Sequence, residues 1–247
     1  VFAVTYDIRH NGADILKSLT ELQRKHLPKA AKDAAQRTGQ YVFAALRSEM
    51  KEVFDNPTDW TLGGLRFRKP SDDKPSVSIW LEEFSGKGIP AATYLAPQIL
   101  GGPRRHKRFE RALIMKGLMP ATSYAVPGKQ APLDDYGNVS GAFIVRVLSD
   151  LQAFGEQGYR ANRKGKRTGN KRTNYFFVPR PGSSLKPGIY WHMPGKLLGV
   201  AFVFVSRAIY DQRYDFYGVA DRAFNRVASR NMAEALAARI RKDNKAD

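Results

Sequence analysis

The sequence predicts an α+β fold: a small antiparallel or mixed sheet packed against a long N-terminal helix and a C-terminal helix, with a long irregular insertion. Three observations predict it. Short apolar runs at 175–178, Gly188–His192 and Leu198–Val205 are separated by Pro and Gly, the punctuation of a small strand meander. From Phe216 onward, Val219, Ala220, Ala223, Phe224, Val227, Ala235, Leu236 and Ile240 recur at a period near 3.6, with Arg and Asn opposite, which marks an amphipathic helix. Near the N-terminus, Ala30, Ala31, Ala34, Ala35, Thr38, Tyr41, Val42, Ala45, Leu46, Met50 and Phe54 form a second stripe of the same period. A sheet with one apolar face and the helices around it bury each other in an α+β layer.

The elements follow in order. Phe2, Val4, Tyr6 and Ile8 alternate with Val1, Ala3, Thr5 and Asp7, an edge strand that ends at the Asn11–Gly12 turn signal. Asp14 is the N-cap of a short helix carrying Ile15, Leu16, Leu19 and Leu22, and the pair Leu27–Pro28 interrupts it, because proline disfavours a helical residue before it. Proline suits a first helical position, so the long alanine-rich helix begins at Pro28 and ends near Asp55, Asn56 and Pro57. Leu65–Arg68 and Val77–Leu81 read as strands joined by a polar, proline-bounded turn. The division expected is 1–83 as the N-terminal part of the core, 84–174 as a basic Gly/Pro-rich insertion, and 175–247 as the C-terminal part. Within the insertion, 107–118 and 143–153 have helical patterning, the latter through Phe143, Val147, Leu148 and Leu151. An insertion of this length is expected on the surface, where long connections usually serve function.

At 247 residues and 43% apolar content the chain can build a sizeable core. It holds no cysteine, which excludes disulfides and thiolate metal sites and suits a reducing compartment or a structure that gets its stability from assembly. The opening residues lack a signal-peptide pattern, and no apolar run approaches the length of a membrane span. The dominant fact is charge: 41 Lys and Arg against 23 Asp and Glu, a net of +18 and an isoelectric point near 10.1. Such a field attracts polyanions and acidic surfaces. Two clusters concentrate it, PRRHKRFER at 103–111 and YRANRKGKRTGNKRTN at 159–174, the second without a single acid and expected as an arm. The contact residues expected from them are Arg104, Arg105, Lys107, Arg108, Arg160, Arg163, Lys164, Lys166, Arg167, Lys171 and Arg172. Tyr159 and Tyr175 flank the arm, which could follow a phosphate backbone and release counterions.

Other chemistry has little support. His10, His26, His106 and His192 are scattered without metal-ligand spacing, and His192 reads as a structural strand residue. Glu82 and Glu83 are adjacent, so on a strand they face opposite sides. Asp134 and Asp135 read as turn residues. Gly101–Gly102 lacks the remainder of a phosphate-cradling motif, and neither a nucleophile elbow nor a dinucleotide fingerprint is present. An enzyme would need Glu110, Asp134 or His192 brought together by the fold. No catalytic, cofactor or metal residue is expected.

The order of motifs carries a resemblance. HLPKAAKDAAQRTGQYVFAALRSEM, TLGGLRFRK, VSIWL, YLAPQILGGPRRHKRFERAL, APLDDYGNVSG, YFFVPRPGSSLKPGIYWHM and YDFYGVADRAFNRVASRNMAEAL succeed one another over nearly the whole chain. In that order they resemble the tail-completion proteins of tailed phages, the minor tail protein Z-like family, related in shape to neck and head-tail joining proteins. The insertion departs from the minimal family pattern, in which the strands follow one another closely. The resemblance implies a structural virion protein rather than a catalyst, without a cofactor, assembled in the host cytoplasm. It implies a homo-oligomeric ring, hexameric, at the head-proximal end of the tail, joining tail to head. Its partners would be tail-terminator, tail-tube or head-tail connector proteins, with packaged DNA as a further contact and no membrane. The alternative is a nucleic-acid-binding protein that uses the 159–174 arm.

Overall fold

The computed structural model describes residues 3–6, 21–71, 74, 76–86, 88–162, 174–193, 195 and 197–243. The architecture is α+β, as the periodicities require, but the chain divides into two compact units, 1–102 with 211–247 and 103–210.

In the first unit, helix α1 (Glu21–Val53) and helix α6 (Phe216–Asp243) lie side by side. Asp33 meets Arg239, Thr38 meets Asn231 and Leu46 meets Tyr214, so one helix counts up as the other counts down and the pair is antiparallel. Ala30, Ala34 and Ala235 are buried together, and their small side chains allow close approach of the backbones. The buried Asn231 amide donates to the Thr38 hydroxyl at 2.9 Å and fixes the register of the helices. Beneath them, strands β1 (Ala3–Tyr6), β2 (Leu65–Arg68) and β3 (Val77–Leu81) form an antiparallel sheet in the order β1-β3-β2. Leu65, Val77, Ile79 and Leu81 pack on Val42, Leu46 and Met50, while Arg66 and Trp80 belong to the opposite face. Gly39 makes that contact possible, because a Cβ there would lie 2.5 Å from Val77 Cγ1. The short helix α2 (Asp59–Gly63) is capped by Thr58, whose hydroxyl accepts from the Thr61 N–H at 3.1 Å, and α3 (Ala91–Leu100) completes the unit through Leu95 and Ile99.

The chain passes into the second unit along the two-residue strand β4 (Gly102–Pro103) and reaches the unit's end on β9 (Ile209–Tyr210), and the two strands pair with one another. Between them come α4 (Arg108–Met115), β5 (Tyr124–Pro127), α5 (Gly141–Asp150), a 3-10 turn (Glu156–Ala161), β6 (Tyr175–Phe177), β7 (Gly188–His192) and β8 (Leu198–Val205). The four longer strands form an antiparallel sheet, β5-β8-β7-β6, with a bulge at Ile189/Tyr190. Its inner face, including Phe176, Ile189, Trp191 and Phe202, buries against Phe109 and Leu113 of α4 and Phe143, Val147 and Leu148 of α5. Phe143 is central, with its ring edge-on to Phe176 at 5.3 Å and to Trp191 at 5.7 Å.

Three expectations change. The strands between 175 and 205 and the C-terminal helix belong to different cores: α6 finds its apolar partner in the stripe of α1, and β6–β8 find theirs in α4 and α5. The expected division at 83/84 and 174/175 therefore moves, since 84–102 belongs with the helix pair and 175–210 with the segment before it. That segment is no surface insertion lacking a core, because Phe109, Leu113, Met119, Phe143 and Val147 are buried in it. Finally, α1 runs from Glu21 through Pro28 without a break. Pro28 is exposed and the alanines after it are held by α6, so packing outweighs the lost hydrogen bond. Asp14, Ile15, Leu16, Leu19 and the Asn11–Gly12 turn lie outside the described residues, as do Phe2 and Ile8 at the ends of the first expected strand.

Candidate functional site: a basic surface built on a buried carboxylate

Between Pro103 and Leu133 the sequence holds seven Lys and Arg and one acid, Glu110. The fold places that acid at the centre of the cluster. Helix α4 is amphipathic, and Phe109, Glu110 and Leu113 form its buried side. As the third residue of the helix, Glu110 reaches back to accept the Lys107 N–H at 2.6 Å, half of a capping box. Its other oxygen accepts the Ala125 N–H at 2.8 Å and so ties β5 to the helix. The Arg104 guanidinium closes the arrangement with two parallel bonds, 2.7 Å and 2.5 Å, while lying over the Tyr124 ring 5.0 Å from its centroid. His106 stacks on the other partner of this group, its ring 4.6 Å from that of Tyr124, and donates through Nε2 to the Ser123 carbonyl at 3.0 Å.

Glu110 is fully buried. Burial alone pushes its carboxyl up, but Arg104 and the two backbone N–H groups together outweigh burial and hold it below the usual carboxylate range. The same bond raises Arg104 above its ordinary value. Arg104 is thus a structural cation, neutralised inside the unit, and the Lys107 backbone forms the start of a helix.

The remaining members of the first cluster point elsewhere. Arg105 and Arg108 are exposed, and so are Arg111 and Lys116 on the outer side of α4 and Arg207 before β9. Among the described residues, none of these five makes an ion pair or side-chain hydrogen bond. Arg160 is exposed at the 3-10 turn, whereas Arg163, Lys164, Lys166, Arg167, Lys171 and Arg172 lie outside the described residues. Sequence reasoning overlooked Arg111 and Arg207 as contact residues. The signal for Arg111 was its three-residue spacing from Arg108 on an amphipathic helix; Arg207 had none, because only the β4–β9 pairing brings it to the cluster.

The acids considered for catalysis occupy separate structural roles. Glu110 clamps α4 to β5, and Asp134 shapes a turn by accepting the Tyr136 and Asn138 N–H groups, at 3.0 and 2.8 Å. His192 sits on β7 with its ring stacked on Tyr175 at 5.0 Å. In the first unit, two shallow hollows of about 390 and 290 Å³ flank the exposed Phe84, and Glu82 between them is bonded to Arg66 at 2.9 Å. Among the described residues no group of His, Asp and Glu is arranged to hold a metal ion, and no helix is long and apolar enough to cross a membrane.

Charge is distributed very unequally. Residues 103–210 contain 19 Lys and Arg against 5 Asp and Glu, a net of +14, whereas 1–102 with 211–247 contain 22 against 18, a net of +4. Comparison with known protein families, characterised proteins and solved structures finds no match for the chain.

Proposed function

We propose that the protein is a structural virion component of a tailed bacteriophage, a tail-completion or neck subunit that forms a ring at the head-proximal end of the tail and joins tail to head. The observation that carries this reading is the order of sequence motifs, from the alanine-rich helix through YLAPQILGGPRRHKRFERAL and APLDDYGNVSG to the final helix. The first unit supports it with surface suited to lateral contacts. Phe84 is 83% exposed and Trp60 58% exposed, both line one hollow, and β1 and β2 are the outer strands of their sheet. Contacts around a closed ring join two different patches, so the hollow beside Trp60 and Phe84 of one copy would receive a different surface of the next. Partners would be tail-terminator, tail-tube or connector proteins, and the ring would hold six copies.

The test is native mass measurement of the purified chain together with imaging of the particle neck. A closed ring of one copy number, six, is expected in both. A neck assembled without this chain, or a chain that stays solitary there, overturns the reading. The second reading is a free-standing nucleic-acid-binding protein acting through the arm at 159–174, which the concentration of charge between 103 and 210 favours.

A further inference from the structure

We propose that the unit spanning 103–210 carries a nucleic-acid-binding surface distinct from the arm, a ridge of Arg105, Arg108, Arg111 and Arg207 that holds the phosphate backbone of duplex DNA. The ridge is independent of ring formation and would exist on a chain that never entered a particle.

Position comes first. The Arg104 N–H donates to the Ala208 carbonyl at 3.3 Å, so Arg105 and Arg207 are the immediate neighbours of a bonded pair just beyond the paired strands β4 and β9. Arg108 and Arg111 are three residues apart on α4 and share a face, opposite the buried Phe109 and Leu113. All four are exposed, and among the described residues none has an anionic partner. Three of the unit's five acids are engaged elsewhere: Glu110 is buried against Arg104, Asp134 holds its own turn, and Asp150 accepts the Phe176 N–H.

Rigidity comes second. The strand before Arg105, the start of α4 and the start of β5 all end on the Glu110 carboxylate through Arg104, Lys107 N–H and Ala125 N–H. The backbone under the ridge is therefore fixed before any ligand arrives, which lowers the ordering cost of binding. A clamp of one arginine inside thus positions four others outside.

Chemistry comes third. Every member is an arginine, whose planar fork matches phosphate oxygens in pairs, and each phosphate neutralised releases condensed counterions. An anionic membrane would ask for a wide apolar helix face beside the basic one; on α4 Phe109 and Leu113 are buried and Met115 alone of these three is exposed, while Ile209 and Tyr210 are exposed on a strand of two residues, so vesicle binding is kept as a separate arm of the test. The rings of Tyr124 and His106 are stacked on one another beneath Arg104, and Tyr210 is bonded to Arg104, so the ridge offers phosphate contacts rather than a free stacking platform. Binding should be indifferent to sequence.

The experiment is fluorescence anisotropy of the full chain with a labelled duplex of about 30 base pairs, titrated between about 50 and 200 mM salt. The variant Arg105→Gln/Arg108→Gln/Arg111→Gln/Arg207→Gln should bind on the order of 100-fold more weakly near 200 mM salt than wild type, and its log–log salt slope should be shallower by about 3 to 4. A charge-matched control in the other unit, Arg47→Gln/Lys51→Gln/Arg226→Gln/Lys242→Gln, should keep the wild-type slope. Circular dichroism checks folding; should the quadruple variant fail it, Arg108→Gln and Arg207→Gln singly should each reduce the slope by about 0.9. An unchanged slope in the ridge variants overturns the proposal, as does an equal loss in the control. Loss of binding to phosphatidylserine vesicles with duplex binding intact would assign the ridge to a lipid surface instead and overturn it too. Native mass on the same samples separates these results from any failure of the ring.

Discussion

Where α1 meets α6, alanines let two long helices close on each other; the buried hydrogen bond across the seam joins two neutral groups, the Asn231 amide and the Thr38 hydroxyl, and the charged pairs that cross it, Asp33–Arg239 and Arg37–Glu234, lie at its solvent-exposed margin. Between 103 and 210 the core is a sheet covered by two short helices, and a buried ion pair joins helix, strand and entering chain. The first unit carries a net charge of +4 and the second +14. Interlocking small residues tolerate little change in volume but are insensitive to protonation. A buried carboxylate under a basic surface is sensitive to both charge and pH, and it allows the outside to be strongly cationic while the inside stays neutral.

The largest effect should come from removing the carboxylate. Glu110→Ala leaves the largely covered Arg104 without its partner and the Lys107 and Ala125 N–H groups unsatisfied, at a cost of about 3 kcal/mol, the low end expected for a broken buried pair because Arg104 keeps some solvent. Hydrogen exchange should accelerate in α4 and β5 while α1 and α6 keep their protection; equal acceleration in both units would erase the contrast. Acid should act in the same direction. Glu110 titrates below its ordinary value of 4.5, so its stabilisation is complete above that pH and is lost as pH falls through the lower, folded-state value. The basic unit should therefore lose exchange protection in acid before the helix pair does. A smaller effect is expected of Gly39→Ala. Alanine is the better helix former by about 1 kcal/mol, yet its Cβ would meet Val77 Cγ1 at 2.5 Å, so overpacking should cost about 1–3 kcal/mol, read from urea unfolding. The smallest belongs to Asp33→Asn at the half-exposed pair with Arg239, which should cost less than about 1 kcal/mol and vanish in high salt. A larger loss there would mean that charge matters as much to the helix pair as to the other unit.

Much of this fold was legible wherever periodicity is local. The strands Gly188–His192 and Leu198–Val205 and the start of α6 at Phe216 coincide with the apolar patterns that predict them. Pairing between distant elements was not legible, because a stripe such as Phe216–Val219–Ala223 shows that a helix face is buried without showing against what. Adjacent placement of the meander and α6 in sequence suggested that they share a core; Ala30, Ala34 and Thr38, nearly two hundred residues away, were the true partners of α6. Pro28 misled for a related reason, since an exposed proline in a helix held by a long neighbour costs less than it does alone. In the basic surface, composition identified Arg105 and Arg108 but could not separate them from Arg104, whose charge is cancelled by a carboxylate six residues ahead. One clue was present: a lone acid among seven cations has a strong reason to be inside.

The chain enters the basic unit on Gly102–Pro103 and leaves it on Ile209–Tyr210, two strands that lie against each other. Because entry and exit are paired, the two ends of the stretch 103–210 lie together, the arrangement in which a stretch of chain can be added to or taken from its host at a single place.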